Sequence, residues 1–145
     1  MALVVSRLAQ PAVPLLFAAA LVSAAQAEPG PAQRAVLAQQ VEAARAVAPG
    51  FAPSAERGRT LFMSSPAAGK PDTPSCTSCH TTNLSRAGQS RAGKAIEPMA
   101  PSVVPTRLSD SATVEKWFRR NCPDVLGRDC SVAEKADLLA FLIGL

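Results

Sequence analysis

The order of apolar and polar positions reads as helical along most of the chain. Over residues 32–48 an Ala- and Gln-rich run sets Leu37, Val41, Ala44 and Ala48 three to four residues apart, the spacing of one helix face, and Pro49-Gly50 ends it. A second helix is predicted after Ser54, a good N-cap, with Gly58, Leu61 and Phe62 on one side. A glycine on that face lets a neighbouring helix approach closely. Residues 64–75 read as loop, because Pro66, Gly69, Pro71 and Pro74 interrupt any regular element. The stretch 81–105 is also loop-rich, with little periodic hydrophobicity, and its length suits a segment wrapping a bound group better than one filling a core. Two stronger helices follow. One opens at Ser109-Asp110, carries Val114, Trp117 and Phe118 at helical spacing, and is expected to stop at Pro123. The other begins with a capping box, Ser131-Val132-Ala133-Glu134, and places Leu138, Phe141, Leu142 and Leu145 on a shared face. No alternating strand pattern or internal repeat is visible, so the expected fold class is all-α.

Composition changes this picture at the N-terminus. The chain of 145 residues is 48% hydrophobic, but part of that count belongs to a segment with the form of a signal peptide. Arg7 supplies the positive n-region, residues 14–22 form an apolar h-region, and Ala25-Gln26-Ala27 fits the small-x-small cleavage rule. The alternative is a retained membrane anchor, against which stands an apolar run well short of the roughly 20 residues that span a bilayer. The expected organisation is a cleavable signal peptide over 1–27, an N-terminal helix and linker over 28–53, and a domain carrying the chemistry over 54–145. Export makes the expected location periplasmic. What remains after cleavage holds 14 basic and 11 acidic side chains, a balance that gives no reason to expect a nucleic-acid partner.

The candidate chemistry centres on Cys76-Thr77-Ser78-Cys79-His80. Two thiols three residues apart, with an imidazole directly after the second, is the spacing for thioether attachment of haem and coordination of its iron. A thiol-disulfide oxidoreductase would need a βαβ pattern around the motif, and a zinc site two further ligands at compact spacing. Neither is present, since Cys122 and Cys130 are separated by seven residues. If haem consumes the first pair, a disulfide is the economical reading of Cys122 and Cys130 in an oxidising compartment. His80 is the only histidine, so bis-histidine ligation within one molecule is excluded.

Three residues compete for the second axial position. Met99, between Pro98 and Pro101, is the obvious thioether; Met63 is less well placed, ahead of the haem motif. For both, ordinary apolar packing is the bland reading. Asn121 lies seven after Val114, four after Trp117 and three after Phe118, which predicts an amide on the buried face of its helix. Such an amide needs partners, and an iron atom is one possibility. A C-terminal helix cap ahead of Pro123 is the other.

The runs Gly69-Lys70-Pro71-Asp72-Thr73-Pro74-Ser75-Cys76-Thr77-Ser78-Cys79-His80, Arg91-Ala92-Gly93-Lys94, Val114-Glu115-Lys116-Trp117-Phe118-Arg119-Arg120-Asn121-Cys122 and Gly127-Arg128-Asp129-Cys130 resemble the sphaeroides haem protein family of small periplasmic c-type cytochromes. The resemblance runs from about Ser54 to the C-terminus. It implies a class I cytochrome c-like fold with long haem-wrapping loops and one covalently attached haem c. Carried onto this chain, it makes Cys76 and Cys79 the thioether positions, His80 the proximal ligand, Asn121 a distal ligand that leaves on reduction, and Cys122–Cys130 a disulfide. Met99 then becomes a packing residue near the haem. The family further implies electron transfer with a redox partner, a dihaem cytochrome c, and binding of O2, NO or CO to ferrous haem, rather than an enzyme's catalytic residues. Arg86, Arg91, Lys94, Arg107, Lys116, Arg119, Arg120 and Arg128 are candidates for a basic docking rim, or simply for a solvated face.

Overall fold

A computed structural model describes residues 28–145; the expected signal peptide over 1–27 lies outside the described residues. The order of elements is α1 (Pro31–Val47), α2 (Ala55–Met63), α3 (Thr77–His80), β1 (Gly88–Gln89), β2 (Ala95–Ile96), α4 (Ser111–Leu126) and α5 (Val132–Leu142). No helix among the described residues is long and apolar enough to cross a membrane.

Helix α1 turns a slightly different face inward from the one its leucine periodicity predicts. Val36, Gln40, Val41 and Ala44 are buried, Leu37 is half-buried and Ala48 is exposed. The reason is polar: Gln40 Nε2 donates to Glu115 Oε1 at 2.8 Å, and Gln33 Nε2 donates to the carbonyls of Pro105 and Arg107. Helix α2 starts where expected, with the Ser54 hydroxyl accepting from Arg57 N. Gly58 on α2 does allow close helix approach, since a Cβ there would stand 2.0 Å from the backbone oxygen of Asp137 on α5.

Helix α5 is the centre of the molecule. Its Ser131–Glu134 capping box forms as predicted, but burial extends beyond the single face expected, taking in Ala136, Asp137, Leu138, Leu139, Phe141 and Leu142. On one side Leu138, Phe141 and Leu142 join Phe62, Leu84 and the Cys122–Cys130 disulfide. On the other, Leu139 meets Val36 of α1 and Val114 of α4. A helix packed on both sides buries more than an amphipathic stripe.

Two expectations need correction. The loop 81–105 contains a two-residue antiparallel ladder, Gly88 opposite Ile96 and Gln89 opposite Ala95, too short to leave an alternating pattern in the sequence. Helix α4 does not stop at Pro123. It runs three residues further and ends at Gly127, which holds φ 67° in the left-handed region. Proline removes one ladder hydrogen bond near a helix end, a cost that bonds from outside the helix can offset. Here the final turn is anchored by Cys122, bonded to Cys130, and by Lys70 and Thr73, which donate to the Asp124 carbonyl.

Candidate haem site

Residues 76–80 form one tight turn. The backbone N–H groups of Cys79 and His80 both donate to the Cys76 carbonyl, and Ser75 braces the turn through its hydroxyl, which accepts from Thr77 N. Positions three apart on such a turn share a side, so Cys76 and Cys79 present their thiols together. Directly after His80 the chain swings away through Thr81 at φ 62°, a conformation β-branched residues seldom hold. Strain of this kind persists where surrounding contacts fix it. One such contact is Gly88, where a Cβ would stand 2.0 Å from the Cys79 carbonyl oxygen.

The chemistry of these groups separates the rival readings. Burial pushes the Cys76 thiol up to about 11, which keeps it protonated at neutral pH, opposite to what a redox-active thiol needs. Among the described residues no group of three or more His, Cys, Asp or Glu side chains is gathered to hold a metal ion, so a zinc site is not built here. His80 sits against Phe62, ring centroids 6.1 Å apart. Burial, and secondarily the Arg107 charge, push its imidazole below the ordinary value. It is therefore neutral near pH 7, the form that coordinates metals. His80 Nδ1 is buried without a hydrogen-bond partner among the described residues, a polar atom that a bound group would satisfy. The paired thiols, the neutral imidazole and the apolar cluster beside them fit a covalently attached haem.

The remaining candidates divide. Met63 and Met99 are half-buried and pack on the same apolar cluster as Cys76. Asn121 is followed directly by Cys122, which belongs to that cluster. It is exposed on α4, beside rather than within the buried stripe of Val114, Cys122 and Val125. That corrects the expected burial of Asn121. It also removes the cap reading, because Gly127 ends the helix and Asn121 stands more than a turn inside it. Trp117, one turn earlier on the same ridge, is 46% exposed rather than buried, with Lys116 and Arg120 over its ring at 5.5 and 5.4 Å. The candidate basic rim is thinned: Arg91 pairs with Asp72 and Asp124, Arg128 with Glu134, and Arg107 donates to the carbonyls of Glu97 and Pro98.

Comparison with known proteins follows the same lines. A family model described as a domain of unknown function, DUF1924, matches residues 49–142. The cytochrome c-type protein SHP of Cereibacter sphaeroides is 58% identical over 103 residues, spanning 71% of this chain and 80% of that protein. The chain belongs to the sphaeroides haem protein family. The structure of oxidised SHP, described as an oxygen-binding cytochrome c, aligns with a TM-score of 0.70 at 52% identity, covering 80% of this chain and 97% of the other. Cytochrome c'' of Methylophilus methylotrophus is a second relative, 41% identical over 98 residues, 63% of this chain and 65% of that protein. Its oxidised crystal structure aligns with a TM-score of 0.65 at 34% identity, over 77% of this chain and 92% of that one. Membership of the sphaeroides haem protein family makes the fold an all-α cytochrome c-like one and the cofactor covalently attached haem c.

Sequence reasoning overlooked what Phe62 and Arg107 do. Phe62 was legible only as a helix-face residue and Arg107 only as a surface charge; their nearness to His80 comes from segments distant in the chain.

Proposed function

We propose that this chain is a periplasmic monohaem c-type cytochrome that exchanges electrons and, when reduced, binds O2, NO or CO. In this reading residues 1–27 direct export, residues 28–53 are an N-terminal helix and linker and residues 54–145 hold the haem. Cys76 and Cys79 carry it by thioether bonds, His80 supplies the proximal nitrogen and Asn121 the distal oxygen. When bound, haem supplies an iron that takes up one electron and has two axial positions.

The observation that carries the reading is the position of Asn121. It stands inside α4, not at a cap, next to a disulfide-anchored cysteine, in a chain whose one histidine is already at the haem motif. A neutral amide oxygen is a hard, weak donor, suited to ferric iron and readily released by the softer ferrous ion. Asn121 would hold the ferric iron weakly, and its release on reduction would leave room for a diatomic gas. The relative described as an oxygen-binding cytochrome c supports this. A redox partner, with a dihaem cytochrome c as the leading candidate, supplies the electron.

Optical spectra of the oxidised, reduced and CO-exposed protein test the reading. Asn121→Ala is expected to change the ferric spectrum of the wild type while the reduced variant still binds CO. An unchanged ferric spectrum in the variant, or a reduced wild type that refuses both CO and NO, would sink it. A second reading, a His80/Met99 electron carrier, draws on Met99 packing against the same cluster as Cys76. It requires the near-infrared ferric band of an iron-thioether bond.

A further inference from the structure

The motifs upstream of Cys76 and around Arg91 find a use in the fold that haem attachment does not require. Asp124 lies in the last turn of α4, where backbone carbonyls have no partner within the helix. Its carbonyl instead accepts from Lys70 N at 2.7 Å and from the buried Thr73 hydroxyl at 3.0 Å. Its carboxylate pairs with Lys70 Nζ at 2.5 Å and with Arg91 at 3.2 Å, and Arg91 also holds Asp72 at 3.0 Å. The two backbones touch: a Cβ on Gly69 would stand 2.1 Å from the Asp124 carbonyl oxygen, and one on Gly127 2.2 Å from that of Ala68.

We infer that Lys70, Thr73 and Arg91, by gripping Asp124, are positioning residues that set where α4 presents Asn121 relative to the haem-attachment turn. The inference rests on Asn121 being the distal ligand. Thr73 is three residues before Cys76, and Asp124 is three residues after Asn121, so this grip is a short covalent step from both haem-binding segments. Helix α4 runs unbroken from Asn121 through Asp124, so a hold on Asp124 is carried to Asn121, and the one hydrogen bond that Pro123 cannot offer the Arg119 carbonyl makes that outside hold matter more. The disulfide fixes Cys122 to the start of α5, a different neighbour. The upstream loop adds a polar tie between α4 and the haem turn to the apolar cluster that Cys122 and Cys76 share.

The contacts differ in weight. The ion pairs of Arg91 are exposed, and such pairs contribute little individually. The Thr73 hydroxyl is buried, so its loss removes a shielded hydrogen bond and leaves the Asp124 carbonyl with Lys70 N alone. Thr73→Val therefore has the larger effect, Arg91→Gln a smaller one in the same direction, and Thr73→Ser, which keeps the hydroxyl, restores wild-type behaviour.

The test uses the ferric holoprotein and imidazole as an added ligand that competes with Asn121. Weakening the Asn121 bond enlarges the fraction of molecules open to imidazole, and apparent affinity rises with that fraction. Thr73→Val is expected to bind imidazole about fivefold more tightly than wild type, on the scale of one buried hydrogen bond. Its reduction potential is expected to rise, because ferric iron loses ligand stabilisation. Hydrogen exchange at the Gly127 amide is expected to quicken. Asn121→Ala separates the two ideas. If it leaves imidazole binding and the ferric spectrum unchanged, the ligand assignment fails. If it shifts both while Thr73→Val and Arg91→Gln bind imidazole as wild type does, even with faster exchange, the positioning role alone is overturned. Should Thr73→Val not yield folded holoprotein, Arg91→Gln and Asp124→Asn decide the matter by the same readouts.

Discussion

Asn121 and Met99 are rivals by chain position, and each variant has its own expected outcome. Met99 is half-buried, packs with the cluster of Phe62, Phe141 and Leu142, and its backbone N–H donates to the Leu84 carbonyl at 2.9 Å. In the proposed reading Met99 fills space beside the haem. Met99→Ala is expected to cost about 2 kcal/mol, the low end for Met truncation because the side chain is only partly enclosed, and to leave the ferric spectrum as it was. Denaturant melts and spectra of the same samples check both halves. A lost near-infrared band would instead make Met99 the ligand. Asn121 stands mid-helix, outside the buried stripe of α4. Its replacement should therefore change the spectrum and barely move stability.

Among the elements, the contact of α2 with α5 and the start of α5 carry the clearest consequences. Alanine is a better helix former than glycine by up to about 1 kcal/mol, yet at Gly58 its Cβ would collide with the Asp137 carbonyl. Backbone cannot yield as a side chain can, so overpacking of about 1–3 kcal/mol prevails. Gly58→Ala is expected to lower the melting temperature, and an unchanged or higher value would mean α2 and α5 separate easily. At the start of α5, Arg128 hydrogen-bonded to Glu134, opposed by burial and helped by Ser131, holds the Glu134 carboxyl down at about 2. A folded value below the unfolded one, about 4.3 for glutamate, means the folded protein binds fewer protons in that interval. The capping box thus stabilises fully above about pH 4.5 and loses its contribution as pH falls towards 2. Melting temperature followed across that window should fall more steeply for wild type than for Glu134→Gln.

At the scale of the molecule, α1 is bound into the rest rather than appended to it. Val36 shares a cluster with Val114 and with Leu139, which has 0% exposure. Gln33 and Gln40 reach the loop before α4 and α4 itself, where Lys135 of α5 completes a bridge to Glu115 at 2.8 Å. Burial opposes the charge on Glu115, but Lys135 and Gln40 together keep its carboxyl below the ordinary value. Removing residues 28–48 would uncover that cluster, and buried aliphatic side chains contribute about 1.5–3 kcal/mol each. The truncated holoprotein is expected to unfold at distinctly lower denaturant than the protein beginning at residue 28. An unchanged midpoint would show that residues 49–145 are sufficient.

The sequence by itself determined whatever rests on neighbours in the chain. The paired thiols and histidine, the N-caps at Ser54 and Ser131, the glycine on the α2 face and the all-helical pattern are local signals, because helix spacing and capping act over three or four residues. The tertiary structure decided what local rules leave open. Pro123 reads as a helix stop, yet α4 continues because a loop some fifty residues earlier supplies the donors its last turn lacks, Thr73 and Asp124 being 51 apart in sequence. Asn121 is on that account a mid-helix residue and not a cap. Likewise α5 reads as one-faced but is buried on both sides, since only packing places α1 and α4 against its second face. Periodicity reports one side of a helix. Which groups meet across the fold depends on contacts between distant segments, and no short window of sequence contains them.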